Sequence, residues 1–189
     1  MSCSHESLRL LPPILSGIQR TPEEGTGGRM AGSMWVFSNQ YPANKGQLLK
    51  IFRVISSFIP EGTSAFVHTY SLQRDPRYFF PLPDSFLPER WLSQEQRQAL
   101  EPKIFHSQEK YIHNTDAFIP FSVGPTNCAG KNLAWLEMRM AVSVIVSRFD
   151  LKLDPSYNPQ KWYEDMGDYF VMIKGPLPTL ISPRQSIKV

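Results

Sequence analysis

Over residues 131–149 the apolar side chains Leu133, Leu136, Met140 and Val144 recur every three to four positions, and Ala134, Met138, Ala141, Val142, Ile145 and Val146 fill much of the rest. That spacing predicts a helix, and a helix apolar on most sides is expected to be buried. The alternation Phe149-Asp150-Leu151-Lys152-Leu153 predicts a strand directly after it. Residues 169–174 predict a second strand, with Thr179-Leu180-Ile181 as its hairpin return beyond Pro176 and Pro178. Earlier, Pro60 and Gly62 predict a turn, and Thr63, Ala65 and Val67 a strand with one buried face. A short helix is expected around Tyr70-Ser71-Leu72-Gln73, with His68 in the preceding strand.

Near the start, Glu6 and Arg9 stand three apart and so share a helix face, where they can pair. Arg90 can supply a second fork to the same carboxylate. An exposed pair of this kind contributes only about 0–1 kcal/mol. The flanking Leu8, Leu10 and Leu11 and the Pro12-Pro13 stop favour a packed helix end instead.

Composition removes several function classes. The 189 residues are 41% hydrophobic, enough for one core, and a scattered net charge of +3 leaves no nucleic-acid footprint. Two cysteines, Cys3 and Cys128, form neither a disulfide framework nor a zinc or redox-pair motif. His5, His106 and His113 stand at no metal-ligand spacing and are expected to face solvent. Apolar runs stay far below the roughly 18 residues of a membrane span, and Met1-Ser2-Cys3-Ser4-His5 lacks the shape of a signal peptide. Seventeen prolines, many between residues 60 and 90, indicate a loop-rich middle.

The candidate chemistry lies in Phe121-Ser122-Val123-Gly124-Pro125-Thr126-Asn127-Cys128-Ala129-Gly130, which leads into the long helix at about Lys131. Gly124 and Gly130 remove side chains where backbone must approach a partner, and Pro125 stiffens the turn. Unpaired N–H groups and the helix-end dipole favour a charged sulfur at Cys128. Such a site suits metal ligation or nucleophilic chemistry.

This loop resembles the haem-binding loop of cytochrome P450, Phe-x-x-Gly-x-Arg-x-Cys-x-Gly, at Phe121, Gly124, Cys128 and Gly130. Upstream, in the family's order, Glu6-Ser7-Leu8-Arg9 resembles its Glu-x-x-Arg helix and Phe86-Leu87-Pro88-Glu89-Arg90-Trp91 its Pro-Glu-Arg-Phe/Trp segment. Phe58-Ile59-Pro60-Glu61-Gly62-Thr63 resembles the Ile-Pro-x-Gly-Thr turn, and Gln73-Arg74-Asp75-Pro76 a His-Arg-Asp-Pro segment with Gln73 in place of histidine. Asn132-Leu133-Ala134, Glu137-Met138-Arg139 and Leu177-Pro178 look most like fungal members.

The resemblance implies an α+β, mainly helical cytochrome P450 fold, of which 1–189 is the carboxyl-terminal portion with the proximal haem-binding helix and short strands. Cys128 becomes the axial ligand of haem b iron. Phe121, Gly124, Thr126, Asn127, Ala129 and Gly130 join it in the haem-binding loop, and Glu6, Arg9 and Arg90 form a buried triad behind the haem. Thr126 departs from the pattern: a hydroxyl donates one hydrogen bond where the usual arginine neutralises a propionate. Arg20 resembles the family's other propionate-binding arginine.

The implied function is a haem-thiolate monooxygenase that places one oxygen atom of O2 in an apolar organic substrate, with electrons from an NADPH-dependent reductase. Full-length relatives are expected on the endoplasmic reticulum membrane, with their anchor expected to lie outside residues 1–189. The chain opens at the Glu-x-x-Arg helix, so the distal oxygen-activating helix and most of the substrate pocket are expected outside it, and the chain alone is expected to be inactive. A non-catalytic remnant is one alternative. A cysteine-nucleophile hydrolase using His113 or His106 is another, and it leaves Glu6, Arg9, Arg90 and the two glycines without a purpose. Residues 33–57 fit no family element and contain Lys45, Lys50 and Arg53 but no acidic residue. They read as an atypical insertion, either translated intron or lineage-specific loop, or a surface segment with an amphipathic helix over 46–56.

Overall fold

The computed structural model of the chain describes residues 1–18, 28–31, 34–37, 57–59, 66–105, 110–124 and 127–184. The chain mixes helices with short antiparallel strands. Helix α1 (Ser2–Leu10) buries Glu6, Leu8, Arg9 and Leu10 and stops where Leu11 N–H donates to the Ser7 carbonyl, just before Pro12. Strands β1 (Gly28–Ala31), β2 (Met34–Phe37) and β3 (Ser57–Ile59) form one sheet in the order β2-β1-β3. Gly28 pairs with Phe37 on one side and with Ile59 on the other. The 33–57 segment thus leaves from β1 through β2 and returns to β1 through β3. The expected helix over 46–56 and the turn and strand over 60–65 lie outside the described residues.

Val67 and His68 are not in a strand. His68 caps the short helix α2 (Thr69–Leu72), its Nδ1 accepting from Ser71 N–H at 3.3 Å and meeting Ser71 Oγ at 2.8 Å. A ring nitrogen there satisfies an N–H that the first helical turn leaves without a partner. Gly17, at φ +86°, runs so close to Val67 that an added Cβ would collide with its carbonyl oxygen. Only glycine combines that backbone angle with that approach.

The core gathers around α1. Against it lies the 3₁₀ turn Pro88–Trp91, and the Phe79 ring of the two-residue ladder of β4 (Phe79–Phe80) with β5 (Ile112–His113) sits 5.2 Å from the Arg9 guanidinium. Helices α3 (Gln94–Leu100) and α4 (Pro102–Phe105) and the 3₁₀ turn Thr115–Ala117 complete this half. Leu8, Leu10, Phe79, Leu87, Phe105, Ala117 and Ile119 are its buried apolar residues. The capping box of Ser93 with Gln96 starts α3, and the Asn114 side chain caps the second 3₁₀ turn.

The long helix α5 runs Lys131–Arg148, one residue shorter than expected, because Phe149 is already extended in β6 (Phe149–Leu153). It is not buried. Leu133, Leu136 and Met140 are 58%, 61% and 62% exposed, and Val142, Val144, Ile145 and Val146 also face solvent. Apolar residues on all sides signal a helix that needs covering layers; among the described residues only a short stretch of it is covered, around Trp135.

Helix α6 (Pro159–Glu164), capped by Asn158, precedes a hairpin of β7 (Gly167–Tyr169) and β8 (Val171–Ile173). Residues 169–174 are therefore not one strand. Phe170 takes φ +74°, which turns the chain back on itself. The return segment β9 (Thr179–Pro183) pairs with β6 instead, Leu151 opposite Ile181, so it closes a longer loop than a hairpin. The Pro13 carbonyl accepts from Met172 N–H at 2.7 Å and ties β8 to the end of α1.

Exposed apolar surface of this size drives association. The double change Leu136→Glu with Met140→Lys is expected to reduce concentration-dependent self-association of the chain, read by sedimentation velocity, while leaving its helix content unchanged.

Candidate functional site

The candidate side chains fall into two clusters. The first is built on the Glu6 carboxylate. Its Oε1 accepts from Arg9 Nη2 at 2.7 Å, from Arg90 Nε at 3.1 Å and from Leu87 N–H at 3.1 Å. Its Oε2 accepts from Arg9 Nε at 2.9 Å and Trp91 Nε1 at 2.8 Å. Glu6, Arg9 and Arg90 are each 0% exposed.

Arg9 grips Glu6 with a two-pronged fork, as its i,i+3 spacing permits. Arg90 does not supply a second fork. It gives Glu6 only its Nε–H, while Nη2 donates to the Pro81 and Leu82 carbonyls at 3.0 Å each. The carboxylate is already filled by the fork, the indole and a backbone amide, so the rest of the guanidinium turns to the loop. Arg9 Nη1 likewise donates to the Gln73 and Pro83 carbonyls, both at 2.6 Å.

Burial pushes the Glu6 carboxyl up, but the Arg9 hydrogen bonds and charge, the Arg90 charge and the Trp91 hydrogen bond outweigh it and hold the group below its ordinary value. Burial lowers the Arg90 guanidinium, against the pull of Glu6. The cluster is ionic and enclosed, a geometry in which removal of one partner leaves an unmatched charge.

Histidines expected to face solvent are instead packed. His5 lies 4.5 Å from Trp135 and 4.9 Å from Trp91, ring centre to ring centre. His113 meets Trp91 edge-on at 4.5 Å, with Phe79 and Tyr111 around it. Burial first, then the nearby Arg90 charge, pushes His113 down to about 4, so its ring is neutral in the fold at ordinary pH. Aromatic partners on both sides of these rings made them apolar packing elements. His106 lies outside the described residues.

The second cluster is the loop before α5. Ile119 is buried, and its carbonyl accepts from Ser122 N–H at 3.0 Å. The Phe121 carbonyl then accepts from Cys128 N–H at 2.9 Å, and the Gly124 carbonyl from Asn127 N–H at 3.1 Å. The Cys128 carbonyl accepts from Lys131 N–H at 3.2 Å, where α5 begins, with Gly130 as its N-cap residue. Cys128 therefore stands three residues ahead of the first helical residue, with its thiol exposed.

Gly124 has φ +81°, and an added Cβ there would meet nothing within 4 Å. Its backbone angle calls for glycine, and its open side leaves room for a partner. A Cβ at Gly130 would stand 3.8 Å from Cys128 Sγ, so the glycine keeps the space beside the sulfur clear. Asn127 and Ala129 are exposed next to Cys128, and the Phe121 ring leans on Trp135 at 5.8 Å. Pro125, Thr126 and Arg20 lie outside the described residues.

Trp135 of α5 links α1 to the loop, since its ring packs tilted against both His5 of α1 and Phe121 of the loop. The tryptophan's role, the Trp91 bond to Glu6 and the hub made by Gln73 were not apparent from the sequence. Trp91 was visible only as part of the Pro-Glu-Arg-Trp wording, and the Gln73 position only as a departure from histidine.

What can such a sulfur hold? Among the described residues no group of three or more His, Cys, Asp or Glu side chains could cage a metal ion. A lone soft donor on an open surface suits iron whose four equatorial ligands come from the bound group itself. No helix among the described residues is long and apolar enough to cross a membrane.

The chain belongs to the cytochrome P450 family, whose profile, described as Cytochrome P450, matches residues 52–180. Cytochrome P450 monooxygenase nodW of Hypoxylon pulicicidum is 40% identical over 154 residues, 82% of this chain and 21% of that protein. Cytochrome P450 67 of Uromyces fabae is 30% identical over 184 residues, 97% of this chain and 28% of that protein. Trichothecene C-15 hydroxylase of Fusarium sporotrichioides is 37% identical over 131 residues, 69% of this chain and 23% of that protein. The chain thus spans between a fifth and three-tenths of the length of these fungal relatives.

Two outcomes are expected of the polar core. Glu6→Gln leaves two buried guanidinium groups without their anion and should cost about 3–5 kcal/mol of unfolding free energy in a denaturant titration. Acid should weaken the fold in two stages. A histidine held at about 4 in the fold but near 6.5 when unfolded takes up its proton mainly on unfolding. Its contribution, about 2–3 kcal/mol, is complete above pH 6.5 and is lost as pH falls toward 4. Glu6, also lowered, adds a further loss below its ordinary range. The melting temperature of His113→Phe should therefore stay flatter between pH 6.5 and 4.5 than that of the parent.

Proposed function

We propose that this chain is the haem-thiolate portion of a monooxygenase that inserts one oxygen atom from O2 into an apolar organic substrate. One observation carries the reading: an exposed thiol, set by a backbone hydrogen bond to the Phe121 carbonyl, at the entry of a long apolar helix in a chain of the cytochrome P450 family. In this reading residues 1–189 are the carboxyl-terminal part of the cytochrome P450 domain, with 33–57 as an insertion, and α5 is the helix beneath the haem.

Cys128 would supply the thiolate that holds haem b iron. Gly124 and Gly130 let the backbone approach the ring, and Asn127 and Ala129 complete the described part of the wall. Phe121, held against Trp135, limits access of water to the sulfur. By resemblance to the family pattern, Thr126 would offer a hydroxyl to a haem propionate and Arg20 a neutralising charge. Haem bound in this way supplies iron chemistry that splits O2 with electrons delivered from outside. The Glu6–Arg9–Arg90 cluster acts at a distance from that chemistry, as the rigid floor on which the loop is mounted.

Electron supply from an NADPH-dependent reductase, an apolar substrate and placement at the endoplasmic reticulum membrane belong to the proposal for the whole protein. The exposure of α5 on nearly all sides favours one second reading, a non-catalytic remnant that keeps the thiolate loop without turnover. The thiol-nucleophile reading gains nothing: the rings around His113 are Phe79, Trp91 and Tyr111, and among the described residues no hydrogen bond joins it to Cys128.

The reading is tested by adding haem to the chain and recording the reduced carbon-monoxide spectrum. The red-shifted Soret band of thiolate-bound iron is expected in the parent and in Cys3→Ser, and its loss in Cys128→Ala. An unchanged band in Cys128→Ala would overturn the assignment. Turnover of an apolar probe substrate with reductase separates enzyme from remnant.

A further inference from the structure

Gln73 is 0% exposed, and the Cys128 loop reading leaves it without a role. Its side-chain amide uses both ends. Nε2 donates to the Leu8 carbonyl at 3.1 Å and the Arg9 carbonyl at 3.0 Å, the last turn of α1, where helical carbonyls lack internal partners. Oε1 accepts from Ile119 N–H at 2.9 Å. Two carbonyls on one side and an N–H on the other fix which end is oxygen. The Gln73 backbone carbonyl also accepts from Arg9 Nη1, so the residue is clamped at both side chain and main chain.

From Ile119 a run of backbone hydrogen bonds leads to the sulfur. Ile119 O accepts from Ser122 N–H, and Phe121 O accepts from Cys128 N–H. We propose that Gln73 is a positioning residue for Cys128, its amide joining the carboxyl end of α1 to Ile119 and thereby setting the loop that aims the thiol. The proposal rests on the reading of Cys128 as the iron ligand for its purpose, but the coupling itself is a property of the chain without haem. Two donors and one acceptor are needed at this point, and glutamine supplies all three. A neutral histidine offers one donor and one acceptor, and methionine, close to glutamine in length, offers no donor.

The experiment uses the full chain carrying Cys3→Ser, so that Cys128 is the sole thiol. Amide exchange at Ile119 and Cys128 and the alkylation rate of the thiol by iodoacetamide are compared in the parent, Gln73→Met and Gln73→His. Gln73→Met is expected to speed exchange at both amides by ~10-fold or more, the loss of about one anchoring bond, and to change the alkylation rate several-fold. Amides inside α5 and along the β6–β9 ladder should keep their parental rates. Gln73→His should fall between parent and Gln73→Met at Cys128, because it keeps one donor and one acceptor.

Parental exchange and alkylation at Cys128 in Gln73→Met would overturn the proposal, as would an equal change at every amide, which marks general destabilisation. If Gln73→Met does not fold, Gln73→His decides: intermediate protection at Cys128 with unaltered α5 supports the coupling, and parental protection rejects it. Haem added to the parent keeps the two readings apart. A parent without the thiolate band would sink the ligand assignment while leaving the measured coupling standing; a parent with the band beside an unresponsive Gln73→Met would sink the coupling alone.

Discussion

The Glu6 carboxylate, fully buried and filled by donors from four residues, is the interaction on which the rest of this molecule depends. An ion withdrawn from water costs several kcal/mol unless its lone pairs are matched, and here the matching groups come from distant parts of the chain: Arg9 from its own helix, Leu87, Arg90 and Trp91 from the Pro-Glu-Arg-Trp turn. The same guanidinium groups then hold the Pro81, Leu82, Pro83 and Ser85 carbonyls. A stretch rich in proline, with few ladder bonds of its own, gains its shape from two arginines.

This explains the unusual make-up of the core. Its largest fully buried side chains include Arg9, Arg90, Gln73 and Glu6 alongside Phe79 and Pro12. Buried polar groups of this kind are costly when unmatched and specific when matched; here the Glu6 oxygens are filled, while Arg90 Nη1 is buried without a partner among the described residues. The clustered charges favour one arrangement of α1, the 3₁₀ turn and the loop above them, which suits a platform for a site that must hold one atom in place. The carboxyl-terminal half has the opposite character. Helix α5 and the strand pairs β6–β9 and β7–β8 expose leucine, isoleucine, valine and phenylalanine, and their contact with the platform runs through few points, Trp135 and the Met172–Pro13 bond among them.

The elements legible in the sequence were those set by local period. The helix after the Cys128 loop and the strand Phe149–Leu153 sit where the spacing placed them, within one residue. The misread elements turned on contacts that a local pattern does not contain. Residues 169–174 look like one strand until Phe170 adopts a left-handed angle, and Thr179–Pro183 finds its partner in β6 rather than in its neighbour. His113 and His5 read as surface residues because their aromatic neighbours come from segments far away in sequence.

By itself the sequence determined the family, through ordered motifs whose residue types are chemically constrained: a thiol between two glycines, and a carboxylate with arginine three residues on. It also determined where the long helix begins, since apolar period and loop chemistry are local properties. Tertiary structure alone decided that Arg90 gives one bond instead of a fork, that Gln73 bridges α1 to the Cys128 loop, and that α5 stands largely uncovered. The first two outcomes depend on how donors and acceptors are shared among segments 46 to 84 residues apart, and the third on which apolar layers pack together; a pattern along the chain carries no record of either.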